Sequence, residues 1–252
     1  MTNTRENILE EADRILTEAS KSGVKLKLVG GLAVRYHCHG SSHLLSTRSY
    51  PDIDLVGHRR QSPEIKRLFS SLGYSPRVRF NAIYGQRRLI FNDLGRNRRV
   101  DIFLDIFEMC HTLDLKEAID APGEVLGVTH LLMTKLQIIE ATEKDVLDTI
   151  CLLLKHDVVE KNGEEAISAE QLCKLTSDDW GLYKTFTRSL EKVRGVLPKY
   201  LDGVELTETD RKTILLLSKI EGGPKSLRWK LRSLIGEKVQ WYELPEPDVK
   251  VA

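Results

Sequence analysis

The chain has 252 residues, of which 41% are hydrophobic and 30% charged, the proportions of a soluble globular protein with room for a real core. Its 38 Lys and Arg stand against 37 Asp and Glu, a formal net charge of +1. That balance excludes a strong global field and leaves a local basic patch open.

No stretch approaches 18 apolar residues, and the opening MTNTRENILEEADRI lacks the apolar segment of a signal peptide. Cys38, Cys110, Cys151 and Cys173 lie far apart without a Cys-x-x-Cys pair. Free buried thiols in a cytoplasmic protein are the expectation.

Residues 4 to 21 carry helical spacing, with Ile8, Ala12, Ile15 and Leu16 on one side. Ser22-Gly23 ends that helix. The apolar run from Lys25 to Val29 reads as a strand and leads straight into Gly30-Gly31. A short helix to about His39 and a polar loop from Gly40 to Pro51 follow, then a second strand from Asp52 to Val56. Ser62-Pro63-Glu64 suits the first turn of a helix that stops at Gly73. Residues 77 to 107 read as β throughout, with a hairpin turn at Asp93–Asn97. Helices are expected over 129–139, 143–155, 168–175, 180–200 and 207–220, with Ser168–Gln171 resembling a capping box. The tail after Ser226 is basic and aromatic, then acidic and Pro-containing. The order gives a small mixed α/β (α+β) sheet with helices, followed by a mainly helical C-terminal region.

Three carboxylates stand out along this path. Asp52 and Asp54 are two apart in a strand, so they point to one face with backbones about 7 Å apart. Like charges that close repel, and a hard cation between them relieves the strain. Magnesium fits, since one or two carboxylates plus substrate phosphates usually hold it. In a later apolar strand Asp101, Phe103 and Asp105 share one face, with Val100, Ile102, Leu104 and Ile106 on the other. Glycine at a strand-to-helix turn lets backbone approach a ligand, and the first helical turn favours an anion. Gly30 and Gly31 are therefore a candidate phosphate cradle.

The pattern of Gly30-Gly31, then Asp52-Ile53-Asp54-Leu55, then Asp101 resembles the DNA polymerase β superfamily of nucleotidyltransferases. GGLAVRYH and RSYPDIDLV look closest to the abortive-infection toxin nucleotidyltransferases and their relatives, which also carry an Arg shortly before Asp-Ile-Asp-Leu. Arg48 matches it here, as does TKLQIIEATEKDVLD for a Lys-Leu helix and Lys-Asp-x-x-Asp stretch. The resemblance covers roughly residues 24 to 157. It implies a catalytic domain over 1–120 and a helical domain over 121–252. It also implies transfer of a nucleoside monophosphate from ATP, GTP or another triphosphate to an acceptor, with release of pyrophosphate. Asp52, Asp54 and Asp101 would then be catalytic and hold two magnesium ions, manganese being the other candidate metal. Gly30, Gly31, Arg48 and Lys135 would bind the nucleotide. RNA, a protein or a small molecule is the acceptor class left open, and a silencing partner or antitoxin is a further expected partner. A non-catalytic nucleotide-binding module is the alternative.

Several residues admit two readings. Arg48 is a bidentate donor to triphosphate oxygens or a surface arginine. Lys135 is a phosphate ligand or a snorkelling lysine on an apolar helix. Asp145 and Asp148 are neighbours on one helical face, orienting Lys135 or an acceptor, or simply solvated. His37, Cys38, His39 and His43 form a metal cluster or line a helix. Trp229, Trp241 and Tyr242 among Arg228, Lys230, Arg232 and Lys238 suit RNA or a core with a basic outer face. Asp52, Asp54 and Asp101 are expected to converge where their mutual repulsion is poorly screened, so Asp101→Asn should leave the metal-free protein at least as stable as wild type.

Overall fold

In the computed structural model, residues 4–39, 42–46, 48–161, 163 and 165–244 are described. Gly40, Ser41, Thr47 and the acidic end of the tail lie outside them. The chain forms a mixed α/β sheet region followed by a mainly helical one. It divides into two units. The first takes in the residues up to His39, then Leu45–Phe107 and Leu113–Leu131, and the second holds Gly40–Leu44, Glu108–Thr112 and everything from Leu132 onward.

The first unit begins with α1 (Thr4–Lys21), β1 (Leu26–Val29) and α2 (Gly30–His37). The turn α3 (Ser42–Leu45), most of it counted with the second unit, comes next in the chain, where sequence led us to expect only loop. Next come β2 (Asp52–Gly57), α4 (Ser62–Ser71), β3 (Ser75–Pro76), α5 (Val78–Tyr84), β4 (Arg88–Asp93) and β5 (Arg98–Leu104). The five strands form one sheet in the order β1-β2-β5-β4-β3. Only β2 and β5 run parallel; the other pairs are antiparallel. The short β6 (Ile106–Glu108) and β7 (Thr112–Asp114) pair with each other, and α6 (Lys116–Asp120) follows.

Register sorts the residues of this sheet onto two faces. Ile53, Leu55, Val100, Ile102, Leu104, Leu89 and Phe91 share one face by strand alternation, and each is buried. Phe69 of α4 stacks on Phe91 at 4.6 Å between centroids, so α4 covers that side. Asp52, Asp54, Arg99, Asp101, Phe103 and Arg88 share the other face. The first face is apolar, while the second mixes these charged side chains with buried Val29, Val56 and Ile90.

The edge of β1 is not left bare. Leu28 donates to the carbonyl of Glu124 at 2.8 Å and accepts from Leu126 at 2.9 Å. Lys27, buried, donates to the carbonyls of Pro122 and Gly123 at 2.8 and 2.6 Å.

Two stretches depart from the sequence expectation. Residues 77 to 84 are helical in α5, not a strand. The side chain of Asn81 takes over the pairing that backbone would have made, accepting from Ile90 N at 2.8 Å and donating to Ile90 O at 3.0 Å. The strand through Asp101 does not continue past Leu104 either. Asp105 sits at φ +64, a left-handed conformation that ends β5 and takes Asp105 off the face of Asp101. Its carboxylate instead accepts from Arg59 N and meets His58 Nδ1, both at 3.2 Å. The hairpin turn forms where expected, with Asp93 Oδ1 accepting from Gly95 N and Arg96 N.

In the second unit α7 (Val128–Leu136) ends and α8 (Glu143–Lys155) begins, the latter with a capping box between Thr142 and Asp145. The small strands β8 (Val158–Val159) and β9 (Ile167–Ser168) lead to α9 (Ala169–Asp178), α10 (Trp180–Tyr200), α11 (Gly203–Gly222) and α12 (Leu227–Ile235). Ser168 caps α9 by accepting from Gln171 N at 3.3 Å. The tail aromatics meet protein rings: Trp229 packs edge-on against Tyr183, and Trp241 against Trp180. Cys38, Cys110 and Cys151 are buried free thiols, and Cys173 is half-buried. No described helix is long and apolar enough to cross a membrane.

One buried carboxylate ties α1 to the sheet region. Glu11 accepts from Tyr74 Oη at 2.6 Å and from Arg14 at 2.6 and 2.9 Å. Burial pushes its carboxyl up, but those donors outweigh it and the net shift is down. The stabilisation therefore holds above the unfolded value of 4.5 and fades as pH falls through the lower folded value. Glu11→Gln should cost about 1–3 kcal/mol at pH 7. Thermal melts across pH should show the gap to wild type closing below the ordinary glutamate range.

Candidate functional site

The site is built at the junction where β1 turns into α2. Val29 ends the strand with extended backbone, and Gly30 follows at φ +71. A β-carbon at position 30 would overlap Oδ2 of Asp54. Asp54 pairs in register with Val29 on one side and with Asp101 on the other. Its carboxylate therefore sits over the first residue of α2. Only glycine satisfies both the conformation and the space.

Gly31 serves the same purpose for a cation. A β-carbon there would lie 2.6 Å from Nη2 of Arg48. The guanidinium of Arg48 also lies over the ring of Tyr50, 5.3 Å from its centroid, and Arg35 approaches the same ring at 5.5 Å. The expected cradle thus brings Asp54 and Arg48 against the two glycines. Arg48 is half-buried, held rather than waving at the surface.

Asp52 and Asp54, both half-buried, lie on the same face of β2, as the period of two requires. Asp101, on the neighbouring strand, is 2% exposed and already engaged. Arg88 donates to its Oδ1 at 2.9 and 3.0 Å, while Arg99 meets Oδ2 at 2.7 Å and Oδ1 at 3.2 Å. Asp101 lies in register with Asp54 on the same face, as expected, but its charge is met within the protein. Two arginines answer the charge of Asp101. Neither was singled out in sequence, although Arg99 is two before Asp101 in one strand and so shares its face. Arg88 also lies over Phe103, 4.8 Å from its centroid. Among the described residues, no three His, Cys, Asp or Glu side chains are placed to hold a metal ion.

The remaining expected residues fall elsewhere. Lys135, in the second unit, is buried and pairs with Asp148 at 2.8 Å and Asp145 at 3.4 Å. Asp148 is fully buried, so this is an interior ion pair rather than a snorkelling lysine. Burial pushes the Asp145 carboxyl up, yet Lys135 and the Thr142 hydrogen bonds hold it below the usual range. His37 Nε2 lies 2.9 Å from the carbonyl of Leu126, a structural contact for one member of the His-Cys-His run. Asp105 belongs to a separate cluster, in which His58 also meets Asp120 at 3.1 Å. Hydrogen bonds from Lys25 and His58 hold the Asp120 carboxyl down at about 2.

No family model matches the chain, and no curated protein matches it either. Among solved structures, it is similar to the antibiotic-resistance factor ANT(2'')-Ia at 14% identity and a TM-score of 0.40, over 59% of this chain and 83% of that one. That likeness concerns the path of the backbone and carries no statement about activity.

Two substitutions test the geometry. Gly30→Ala places a methyl group on the Asp54 carboxylate at a left-handed φ, and should cost about 1–3 kcal/mol or more in a denaturant titration. Asp101→Asn leaves Arg88 and Arg99 facing a neutral amide in a buried place. It should lower stability by about 3–5 kcal/mol, opposite to the neutral or favourable effect expected from carboxylate repulsion alone. An unchanged melting temperature would show that the arginines relax to solvent at little cost.

Proposed function

We propose that the chain is a metal-dependent nucleotidyltransferase that moves a nucleoside monophosphate from a triphosphate to an acceptor hydroxyl. The observation that carries this reading is one constellation: Asp54 over Gly30 at the start of α2, with Asp52 beside it and Asp101 in register on the next strand. Arg48 at Gly31 adds a guanidinium suited to phosphate oxygens.

The donor chemistry of Asp52 and Asp54 fits a hard divalent cation, with triphosphate oxygens completing the set that the protein alone does not. These two residues would hold magnesium. Bound there, it would neutralise charge on the triphosphate and lower the pKa of the attacking hydroxyl. The protein's own part is positioning and charge. Gly30 keeps α2 close enough for its first N–H groups to face an anion. Arg48 would orient the triphosphate. The acceptor oxygen forms a bond to the α-phosphorus as the bond to the bridging oxygen breaks, and pyrophosphate leaves. The hydroxyl proton goes to a carboxylate, and Asp101 serves once Arg88 and Arg99 turn to phosphate.

The acceptor reading draws on charge. Seven arginines and a single acidic residue, Asp93, fall between Arg77 and Arg99, so the chain's near-neutral balance hides a basic stretch. It includes the exposed Arg79 and Arg87 of α5 and the loop after it. An acceptor rich in phosphate, RNA foremost, suits that surface. A second reading has its own observation: Asp101 is already neutralised by two arginines, as in a module that binds nucleotide without transferring it.

The experiment is incubation of the protein with each α-labelled triphosphate and magnesium or manganese, against total RNA, total protein and small hydroxyl-bearing antibiotics. Label should pass to one acceptor class, and Asp54→Asn should abolish transfer while melting like wild type, because it changes charge but hardly volume. Transfer by Asp54→Asn at the wild-type rate would remove the carboxylate pair from the chemistry. Triphosphate-dependent thermal stabilisation with no transfer to any acceptor favours the binding module.

A further inference from the structure

The second unit has two features that this chemistry leaves unused, and they are complementary. The first is a groove of about 840 Å³ between α10 and α11. Glu191, Gly195 and Pro198 line it from α10, and Ile214, Leu217 and Glu221 from α11. Spacings of four and three along one wall, and three and four along the other, set each trio on one helical face. Gly195 opens the floor: a β-carbon there would meet nothing within 4 Å. Arg194 and Asp210 also line the groove but pair with each other at 2.7 Å. Their charges cancel, and Glu191 and Glu221 leave the rim negative.

The second feature is α12, LRWKLRSLI. Leu227, Leu231 and Leu234 repeat at four and three residues, and are 73, 58 and 80% exposed. Arg228, Lys230 and Arg232 accompany them, with no acidic residue in the helix. The helix is fixed in this orientation. Ser226 caps it through Trp229 N at 3.1 Å and donates its own N–H to the carbonyl of Ser177 at 2.9 Å. Arg232 lies over the ring of Trp180, 4.6 Å from its centroid, and donates to the carbonyls of Gly236 and Val239. A helix pinned through its polar backbone contacts and its tryptophan, with three leucines outward, presents an apolar face that water alone meets poorly.

We propose that the α10–α11 groove receives α12 of a second copy of this chain. Spacing and charge both favour that occupant. A leucine stripe at four and three residues matches walls with the same repeat, as in helix-in-groove recognition. A helix carrying three cations and no anion, with Arg228 meeting Asp178 at 3.8 Å, faces a rim that carries Glu191 and Glu221, the latter also near Lys225. Both halves belong to one chain, so each copy offers one groove and one helix, and a reciprocal exchange closes as a dimer.

The test is sedimentation velocity of the full chain over roughly 1–500 µM, a range that captures weak and moderate dimers. The wild type should sediment as a concentration-dependent dimer. Gly195→Arg fills the open floor of the groove and places a cation against α12, and it also replaces a poor helix former with a good one. Leu231→Glu changes an outward residue of α12. Each should weaken the dimer about tenfold or more, corresponding to about 1.4 kcal/mol. Circular dichroism melts check that each variant is folded, and either one alone suffices if the other is not. A charge exchange adds a reading that misfolding does not mimic. Glu191→Lys with Glu221→Lys should lose self-association and regain it when mixed with Arg228→Glu, Lys230→Glu protein. A wild type that stays monomeric throughout, or a dimer that folded Gly195→Arg and Leu231→Glu leave intact, overturns the proposal.

Discussion

The carboxylate of Asp54 occupies the space that a side chain at position 30 would need, and the local architecture follows from that exclusion. It requires glycine at the strand-to-helix junction, which permits φ +71 and starts α2 directly from the end of β1. It also requires the β1–β2 register that sets Val29 beside Asp54, since a shift of one residue would turn Asp54 to the aliphatic face. That register is fixed from behind. Leu28 pairs with Leu55 on the buried side, and Ile53, Val100 and Ile102 continue the same layer. The hydrophobic face thus aims the polar one.

Electrostatics completes the arrangement in a way that spacing alone does not disclose. A carboxylate as buried as Asp101 is costly unless its charge is met within the protein. Arg88 meets it diagonally from β4, two residues from Ile90 opposite, and Arg99 from two residues earlier on β5 itself. Arg88 in turn rests on Phe103, whose face restricts where the guanidinium can go. The consequence for chemistry is direct. A ligand that uses Asp101 must offer the two arginines something as good, and phosphate oxygens are such a partner.

Much of the fold was legible because its elements carry strong periods. The spacing of Ile8, Ala12, Ile15 and Leu16 marks α1, the apolar run before Gly30 marks β1, and Glu143–Lys155 coincides with α8. The carboxylate pair on β2 was legible for the same reason, since alternation alone places Asp52 and Asp54 together. Residues 77–84 were not, because Arg-Val-Arg-Phe alternates like a strand while Val78, Ala82 and Ile83 equally fit a helix turn. Asn81 decided it through a side-chain pair with Ile90 that no local pattern announces. Asp105 was hidden similarly. Nothing in Phe-Leu-Asp-Ile-Phe shows that the central residue turns left-handed, and its partner His58 lies 47 positions away.

Lys135 shows how the same rule of buried charge operates in the second unit. Sequence placed a lysine among Leu131, Leu132 and Leu136 and left its role open between phosphate and solvent. The fold sets it against Asp148, itself fully buried, and against Asp145, whose other oxygen helps cap α8. An interior pair of this kind contributes less to stability than its short distance implies, because both charges have left water. What it does impose is position: α7 and α8 must hold the register that keeps Lys135 Nζ within reach of both carboxylates. Removing one partner leaves the other charged and buried, which costs far more than replacing the pair together. Asp101 with its arginines obeys the same arithmetic, and in both units the costly charges are those that fix which elements lie side by side.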